Sequence, residues 1–294
     1  METPTATTFS YIDYIVFALS LLLSAAIGVY HGCVGSKQTT TDEFLMGGKN
    51  MGVIPVALSM VASFLSAISL LGQPAEMYYY GTQYCLWTLC VIIAFPVAAN
   101  IFIPIFHELE LTSAYEGGMK AVIWTDTFQM LVIFVGLLVV IVKATVDIGG
   151  TGEVFRISNE GGRLIFFNMD PDPTTRTTFW SVIIGGAFVA LTTYATNQAT
   201  VQRYLSIRTV KRAKYALWLN IPLWTLATVL LMLMGLAAYA KYHDCDPMLS
   251  HNIDKKDQLV PYFVLDTLGF VRGLPGLFVA SCFSAALSTC RHGV

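Results

Sequence analysis

Charge is what this sequence most conspicuously lacks. Only 12% of its 294 residues are Asp, Glu, Lys or Arg, and 55% are apolar, whereas roughly a quarter of an ordinary soluble domain is charged. Long stretches such as 215–240 carry no charged residue at all. A bilayer core of about 30 Å needs about 20 residues of helix, and these stretches reach or approach that length. The composition therefore disfavours a soluble protein with buried helices and predicts a membrane protein.

The predicted spans are helices, because backbone amides in lipid must form their hydrogen bonds within their own segment. A membrane barrel would instead show alternating segments of about ten residues. We predict an all-α polytopic helical bundle that forms a single transmembrane domain over residues 1–294, with the lipid bilayer as its surroundings. The seven predicted spans are 12–32, 50–75, 77–106, 119–142, 177–202, 213–240 and 273–290.

Three other features are missing. There is no basic tail, so nucleic acid is not an expected partner. No basic segment precedes the first apolar run, which follows Asp13, so we interpret that run as a retained span and not as a signal peptide. Of the six cysteines only Cys245 lies in a polar connection, which makes an internal disulfide an unfavoured interpretation.

The positive charges that are present are concentrated in one connection. Residues 203–214 include five Lys or Arg residues, beginning with Arg203, and no acidic residue. Basic connections favour the cytoplasmic side of a membrane. Alternation of the spans then predicts that the N-terminus and the long connections 147–176 and 241–272 are extracellular.

Hydroxyl side chains are grouped in two of the spans. Ser63, Ser66 and Ser69 are followed by Gly72-Gln73-Pro74, which predicts a helix that unwinds partway across the membrane, where its freed carbonyls face protein or a cavity. The last span carries Ser281, Ser284 and Ser288-Thr289. Neutral hydroxyl and carbonyl oxygens suit an alkali ion that must bind and leave again. The alternative is that these hydroxyls simply bond to carbonyls one turn earlier in their own helices.

Titratable side chains deep in the spans are also lacking. Glu76 and Asp126 lie near the ends of their runs, and His31 and His107 flank connections. Proton-driven carriers usually need an ionisable relay at depth, so the pattern favours sodium over protons as a coupling ion. Tyr194, Asn197 and Gln198 share a face at helical spacing, which predicts either a cavity wall or contacts between helices.

Six stretches in chain order resemble the sodium/solute symporter family, within it the branch of sodium-coupled monocarboxylate, sodium-dependent multivitamin and iodide transporters. The stretches are DEFLMGGKNM at 42–51, ASFLSA at 62–67, GGMKAVIWTD at 117–126, NQATVQRY at 197–204, HDCDP at 243–247 and LPGLFVA at 274–280. The resemblance implies an inverted-repeat bundle of the leucine-transporter type, whose first core helix is broken at mid-membrane. It also implies a multi-pass protein of the plasma membrane.

The same resemblance implies which residues bind the transported species. The family's sodium site joins two carbonyls of the broken helix to one carbonyl and two hydroxyls of a later helix. These fall on Ala62, Leu65, Ala285, Ser288 and Thr289. The substrate cavity is expected at Phe64, Ser69, Thr88 and Tyr194. Ser69 and Ala190 stand where iodide transporters differ, so the resemblance disfavours iodide.

The sequence also departs from the family pattern. Glu116 joins Gly117 directly, where the family has two further spans, and the expected helices beyond Thr289 are missing. The expected fold is therefore an incomplete inverted-repeat bundle. The leading hypothesis is sodium-coupled symport of a small organic anion, a monocarboxylate or vitamin-like compound, by alternating access; it needs no cofactor besides the sodium ion and is not an enzyme activity. The alternative is a non-transporting truncated isoform or gene-model fragment of such a transporter.

Overall fold

The computed structural model describes residues 9–30, 47–109, 118–172, 174–269 and 271–292, without the side chains of Ser284 and 287–292. The described ranges contain no strand, only an isolated bridge between Asn50 and Ile207. The α-helices in chain order are α1 Tyr11–Val29, α2 Val53–Phe64, α3 Ala67–Tyr80, α4 Trp87–Val97, α5 Ile103–Leu109, α6 Met119–Ile148, α7 Thr151–Glu160, α8 Gly186–Leu191, α9 Gln198–Leu205, α10 Val210–Tyr242, α11 Leu259–Leu268 and α12 Leu274–His292. This architecture confirms the all-α prediction.

Short irregular turns join several of these helices. The 3₁₀ turns cover Gly47–Lys49, Thr82–Leu86 and Lys256–Gln258, and the π-helical turns cover Ala98–Phe102, Ser181–Gly185 and Thr192–Thr196. Through these turns Thr82–Leu109 forms one continuous apolar helical span. Helix α6 packs against α1, α2, α10 and α12, and α10 packs against both α2 and α3, so these two long helices form the centre of the bundle.

The second predicted span is broken in the structure, as its serines and glycine suggest. Helices α2 and α3 meet at an angle of 67° across Leu65 and Ser66. The predicted boundary at residues 75–77 is wrong, however, because α3 continues to Tyr80 and the next span begins at Thr82. In the sequence the charge of Glu76 separates the two uncharged runs, but Glu76 lies inside α3, which ends only at Gly81 with a φ of 90°, so an apolar count alone divides the spans in the wrong place.

The predicted span 177–202 is less regular than a single helix. Two π-helical turns interrupt it, and Asn197, with φ −66° and ψ 126°, ends one segment and caps the next through Ala199 N. Tyr194 is buried, whereas Asn197 and Gln198 are exposed. The prediction that these three side chains share one face is wrong, because it assumed an unbroken helical period across Asn197.

Among the described residues four helices are long and apolar enough to cross a membrane, or five spans if the bent pair α2–α3 is one. Shorter apolar helices at Ser181–Thr196 and Leu274–Phe283 fall in the other two predicted spans. The connections 147–176 and 241–272 contain the helices α7 and α11, which an apolar-run search does not find because these helices are short.

The contacts between connections define two ends of the bundle. At the upper end Tyr78 Oη donates to Asp246 Oδ2 at 2.9 Å, Thr82 N donates to Arg163 O at 2.9 Å, and Gly273 N donates to Asp13 Oδ1 at 2.8 Å. At the lower end Asn50 bridges Ile207, and Lys214 Nζ donates to Asn100 Oδ1 at 3.2 Å. The N-terminal helix and both long connections therefore meet at the upper end.

Candidate functional site

The break between α2 and α3 leaves main-chain oxygens without their helical partners. Leu65 has φ −80° and ψ 70°, and Ser66 has φ −73° and ψ 169°, so the helical bonds that would cross this point are interrupted. Among the described residues no backbone N–H donates to the carbonyl of Ala62 or of Leu65. Both residues are buried, and a buried carbonyl without a donor is an acceptor available to a ligand or an ion.

The serines around the break have different roles. Ser66 is the N-cap of α3 and its Oγ accepts from Ser69 N at 3.3 Å, while Ser69 Oγ lies 3.5 Å from the Phe64 carbonyl oxygen. Ser63 Oγ donates to the Ser59 carbonyl at 2.8 Å, one turn earlier. For Ser63 the simpler alternative of a bond within its own helix therefore holds, and for Ser66 a capping role holds.

The later helix of the predicted sodium site lies against this break. Helix α12 packs against both α2 and α3, and Ala285 is buried in the same core cluster as Ala62 and Leu65. Ser281 Oγ donates to the Phe278 carbonyl at 2.6 Å within its own helix. The side chains of Ser284, Ser288 and Thr289 lie outside the described part of the structure, so the ligand set remains a prediction.

An inner cavity of about 130 Å³ opens beside the break. Three of the four predicted substrate residues line it: Phe64, Ser69 and Tyr194. Thr88 is not among its lining residues, whereas its neighbour Trp87 is. The remaining lining residues, which sequence reasoning did not assign to the cavity, are Gln73, Tyr84, Ala190, Thr193 and Trp224. For Trp224 the sequence held one indication. Its indole lies in the middle of the predicted span 213–240, away from the membrane interface where tryptophans concentrate.

Aromatic rings give the inner cavity its shape. The Tyr194 ring packs edge-on against Phe64, with centroids 5.4 Å apart, and against Phe95, with centroids 4.5 Å apart. Trp224 Nε1 donates to Tyr194 Oη. Tyr194 is thus held by two rings and a hydrogen bond, and its ring separates the cavity from the bundle core.

A charged cluster lies one turn of α2 before Ala62. Arg203 Nη2 lies 3.2 Å from Asp126 Oδ2, and their side chains are 0% and 3% exposed. Ser59 Oγ donates to Asp126 Oδ2 at 2.7 Å and accepts from Arg203 Nε at 2.8 Å. Arg203 is the first of the five basic residues that were predicted to lie in a cytoplasmic connection. Its assignment to a connection is wrong, because Arg203 belongs to α9 and its charge is compensated by a buried carboxylate; the cytoplasmic side stays a prediction.

Comparison with known proteins decides the family. A model of the sodium:solute symporter family matches residues 44–116 and 111–292. The chain belongs to that family. Relatives of this symporter-family chain include the human sodium-coupled monocarboxylate transporter 1, which is 37% identical over 100% of the chain and 58% of the relative. The rabbit sodium-dependent multivitamin transporter is 38% identical over 96% of the chain and 54% of the relative.

A solved structure shows the same fold. The symporter-family chain matches the substrate-bound, outward-open Na⁺-coupled sialic acid symporter with a TM-score of 0.88, over 97% of this chain and 72% of the other. The two sequences are 21% identical, so this match shows the leucine-transporter-type fold alone. The chain spans a little over half the length of the curated relatives it matches, 58% and 54% for the two above.

Proposed function

We propose that this chain carries the sodium site and the substrate cavity of a sodium-coupled symporter for a small organic anion. The observation that carries the proposal is the break at Leu65 and Ser66, where two buried carbonyls without backbone donors lie beside a cavity with uncharged walls. Family membership and the relatives' names as sodium-coupled transporters support the same conclusion.

The proposed sodium site takes the carbonyl oxygens of Ala62 and Leu65 from the broken helix. Helix α12 would supply the Ala285 carbonyl and the hydroxyls of Ser288 and Thr289. Five neutral oxygens bind an alkali ion without trapping it, because no fixed negative charge has to be neutralised again when the ion leaves. The site joins residues more than 200 positions apart in the sequence, so ion binding would hold α12 against the break.

The cavity supports a small monocarboxylate more than a vitamin with a long side chain. Its volume of about 130 Å³ lies well below the roughly 300–1,000 Å³ that is typical of sites for drug-sized ligands. The rings of Phe64 and Tyr194 offer an apolar face, and Ser69 offers a hydroxyl. Thr88 remains a proposed substrate residue only if the cavity widens towards α4 during transport.

The transport cycle would be alternating access in the plasma membrane. The upper end of the bundle, with the N-terminus, would face the outside, as the basic connection after Arg203 favours. Sodium would stabilise one conformation, and the anion would then bind more tightly to that conformation, which couples the two binding free energies. No covalent step enters such a cycle.

Uptake measurements test this function. Cells that express the full-length protein carrying this chain receive labelled lactate or nicotinate in sodium buffer or in choline buffer. We expect uptake in sodium and near-background uptake in choline. Ser288→Ala should weaken the sodium dependence, whereas Ser281→Ala, which removes a bond within the same helix, should leave that dependence in place. Equal uptake in sodium and choline would refute sodium coupling.

The junction between Glu116 and Gly117 belongs to the same proposal. The family model matches in two pieces that meet at residues 111–116, which supports a family segment of two spans that is absent at this point. The junction lies outside the described residues. Transcript sequencing across it tests the proposal: continuous reads would show that the short form is made, and reads that contain the two spans would show that it is not.

A further inference from the structure

A second cavity, of about 320 Å³, lies on the upper side of the inner cavity. The two cavities share Ser69, Gln73 and Tyr84 as lining residues. We call this second cavity the vestibule; its other walls include Gly72, Glu76 and Arg176. Because three residues border both spaces, the vestibule is the approach to the inner cavity from the upper end of the bundle.

The charges of this path are all in the vestibule. Every described residue that lines the inner cavity is uncharged, and Glu76 and Arg176 are the charged residues that line the vestibule. An organic anion that leaves water for the inner cavity therefore meets one arginine on its way. A carboxylate is costly to desolvate without a partner, so a cation at the entrance lowers that cost.

The neighbours of Arg176 bind its guanidinium group but leave some of its N–H donors available. Its Nε donates to Glu76 Oε1 at 3.0 Å and its Nη2 to Glu76 Oε2 at 2.7 Å, which occupies two of the five N–H donors of a guanidinium. Its carbon Cζ stacks 4.2 Å from the centroid of the Tyr80 ring. The Arg176 side chain is 59% exposed, against 19% for Glu76, so the arginine offers donors to the vestibule while the carboxylate is the more enclosed partner.

The backbone beside Arg176 is strained. Thr177 has a φ of 47°, a conformation that is unusual for a β-branched residue. Immediately after it, Thr178 and Ser181 exchange bonds, with Thr178 N to Ser181 Oγ at 3.0 Å and Ser181 N to Thr178 Oγ1 at 3.2 Å. Strained residues persist where the surroundings over-determine them and occur preferentially at functional sites. The backbone that carries Arg176 is therefore positioned by a hydrogen-bonded turn.

A second cation, Lys256, packs against the ring of Tyr80, which Arg176 also contacts. Lys256 Nζ lies 4.6 Å from the centroid of the Tyr80 ring and 4.9 Å from that of Tyr79. Arg176, which lines the vestibule, and Lys256 thus both contact the Tyr80 ring. With Glu76 counted, these three side chains carry one net positive charge, and a net charge of one sign at a cleft raises the local concentration of oppositely charged solutes.

We propose that Arg176 is the first binding site for the carboxylate of the transported anion, and that this carboxylate exchanges with Glu76 on the guanidinium before the anion enters the inner cavity. The ligand class is a monocarboxylate, since one guanidinium presents one fork to one carboxylate. The substrate class in this proposal rests on the proposed function. The residues that would bind the carboxylate line the vestibule, whereas the proposed substrate site is the inner cavity.

Thiol labelling tests the capture site without requiring transport. Gln73→Cys places a thiol on the wall shared by the two cavities, and Leu249→Cys places one on an exposed connection at the same end. The chain, purified in nanodiscs, is treated with methanethiosulfonate reagents that carry either a sulfonate or a trimethylammonium group. The measured quantity is the ratio of anionic to cationic labelling rates at position 73, divided by the same ratio at position 249, after subtraction of labelling in the unsubstituted chain.

We expect Arg176→Gln to lower this normalised ratio by about tenfold, because one unit charge a few ångströms away changes the two reagents' rates in opposite directions. Arg176→Lys should keep most of the ratio, and Glu76→Gln should raise it. Arg212→Gln, an exposed arginine at the start of α10, is the matched control and should leave it unchanged. Size-exclusion profiles verify that each variant is folded.

A protection experiment separates carboxylates from other anions. Nicotinate should slow labelling at position 73, nicotinamide and chloride at equal ionic strength should not, and Arg176→Gln should remove the protection. Protection by chloride equal to that by nicotinate, or a ratio that Arg176→Gln does not change, would overturn the capture site. Sodium-dependent uptake together with an unchanged labelling ratio would support the proposed function and overturn the capture site. Charge-selective labelling without sodium-dependent uptake would support the capture site and overturn the proposed function.

Discussion

At the scale of single residues, two ion pairs with the same chemistry have opposite physical roles. The Asp126–Arg203 pair is buried between α2, α6 and α9, whereas the Glu76–Arg176 pair lines the vestibule and is partly exposed. A buried pair gains little relative to apolar packing, but removing one partner leaves an uncompensated charge away from water. An exposed pair contributes little to stability and is free to exchange partners.

Asp126→Asn should therefore destabilise the protein strongly. We expect the free energy of unfolding, measured by denaturant titration in detergent micelles, to fall by about 3–5 kcal/mol, because Arg203 stays buried without its carboxylate. The double variant with Arg203→Gln should recover part of this loss. Asp147→Asn, which breaks the exposed Lys143–Asp147 pair, is the control and should cost about 1 kcal/mol or less. Equal small losses for both single variants would contradict the assignment.

At the scale of helices, α3 is positioned by its contact with α10. The two helices approach so closely at Gly235 that an added Cβ would lie 2.6 Å from both Met77 Cβ and the Pro74 carbonyl oxygen. Small residues allow this approach between membrane helices. Since α3 carries both Ser69 and Glu76, the same contact sets the walls of the inner cavity and of the vestibule.

Gly235→Ala should push α3 away from α10. The expected loss in the free energy of unfolding is about 1–3 kcal/mol, the usual cost of overpacking. Gly185→Ala is the matched control, because no atom lies within 4 Å of its added Cβ, and it should be neutral or slightly stabilising. The free energy of unfolding of both variants is measured by the same denaturant titration in detergent micelles. Similar stabilities of the two variants would show that the α3–α10 contact relaxes without cost.

At the scale of the whole molecule, the proposed sodium site ties the broken helix near the start of the chain to α12 near its end. An ion that binds only the folded state stabilises it by RT ln(1 + [ion]/Kd). Such stabilisation is a property of the assembled bundle, because neither α2–α3 nor α12 holds all of the proposed ligands.

Sodium should accordingly raise the melting temperature of the purified chain, whereas choline or potassium at the same ionic strength should not. At a sodium concentration of about 100 times Kd the stabilisation would be about 2.7 kcal/mol. Ser288→Ala should flatten the sodium dependence while leaving the melting temperature in choline nearly unchanged. Superimposable melting curves in sodium, potassium and choline would argue against an ion site in this chain.

Several of these features were predictable from the residues alone. Membrane helices follow from uncharged length, a property that each segment has regardless of its neighbours. The break in the first core helix is predicted by its group of serines, of which Ser66 caps α3, because capping hydroxyls favour helix starts wherever they occur. The substrate residues, in contrast, were implied by the family resemblance; three of the four line one cavity, and two of them, Phe64 and Ser69, flank the break.

The remaining features depend on contacts between distant segments. Arg203 looks like a loop charge until α9 folds it onto Asp126, 77 positions earlier, and Thr88 gives way to Trp87 as a wall residue because one residue of helix turns a side chain by about 100°. Arg176 and Glu76 are 100 positions apart and meet through a turn strained at Thr177. Local pattern specifies which segments cross a membrane. Which charges and rings face one another is set by how those segments pack, since the energy of a pair depends on how far both partners are removed from water.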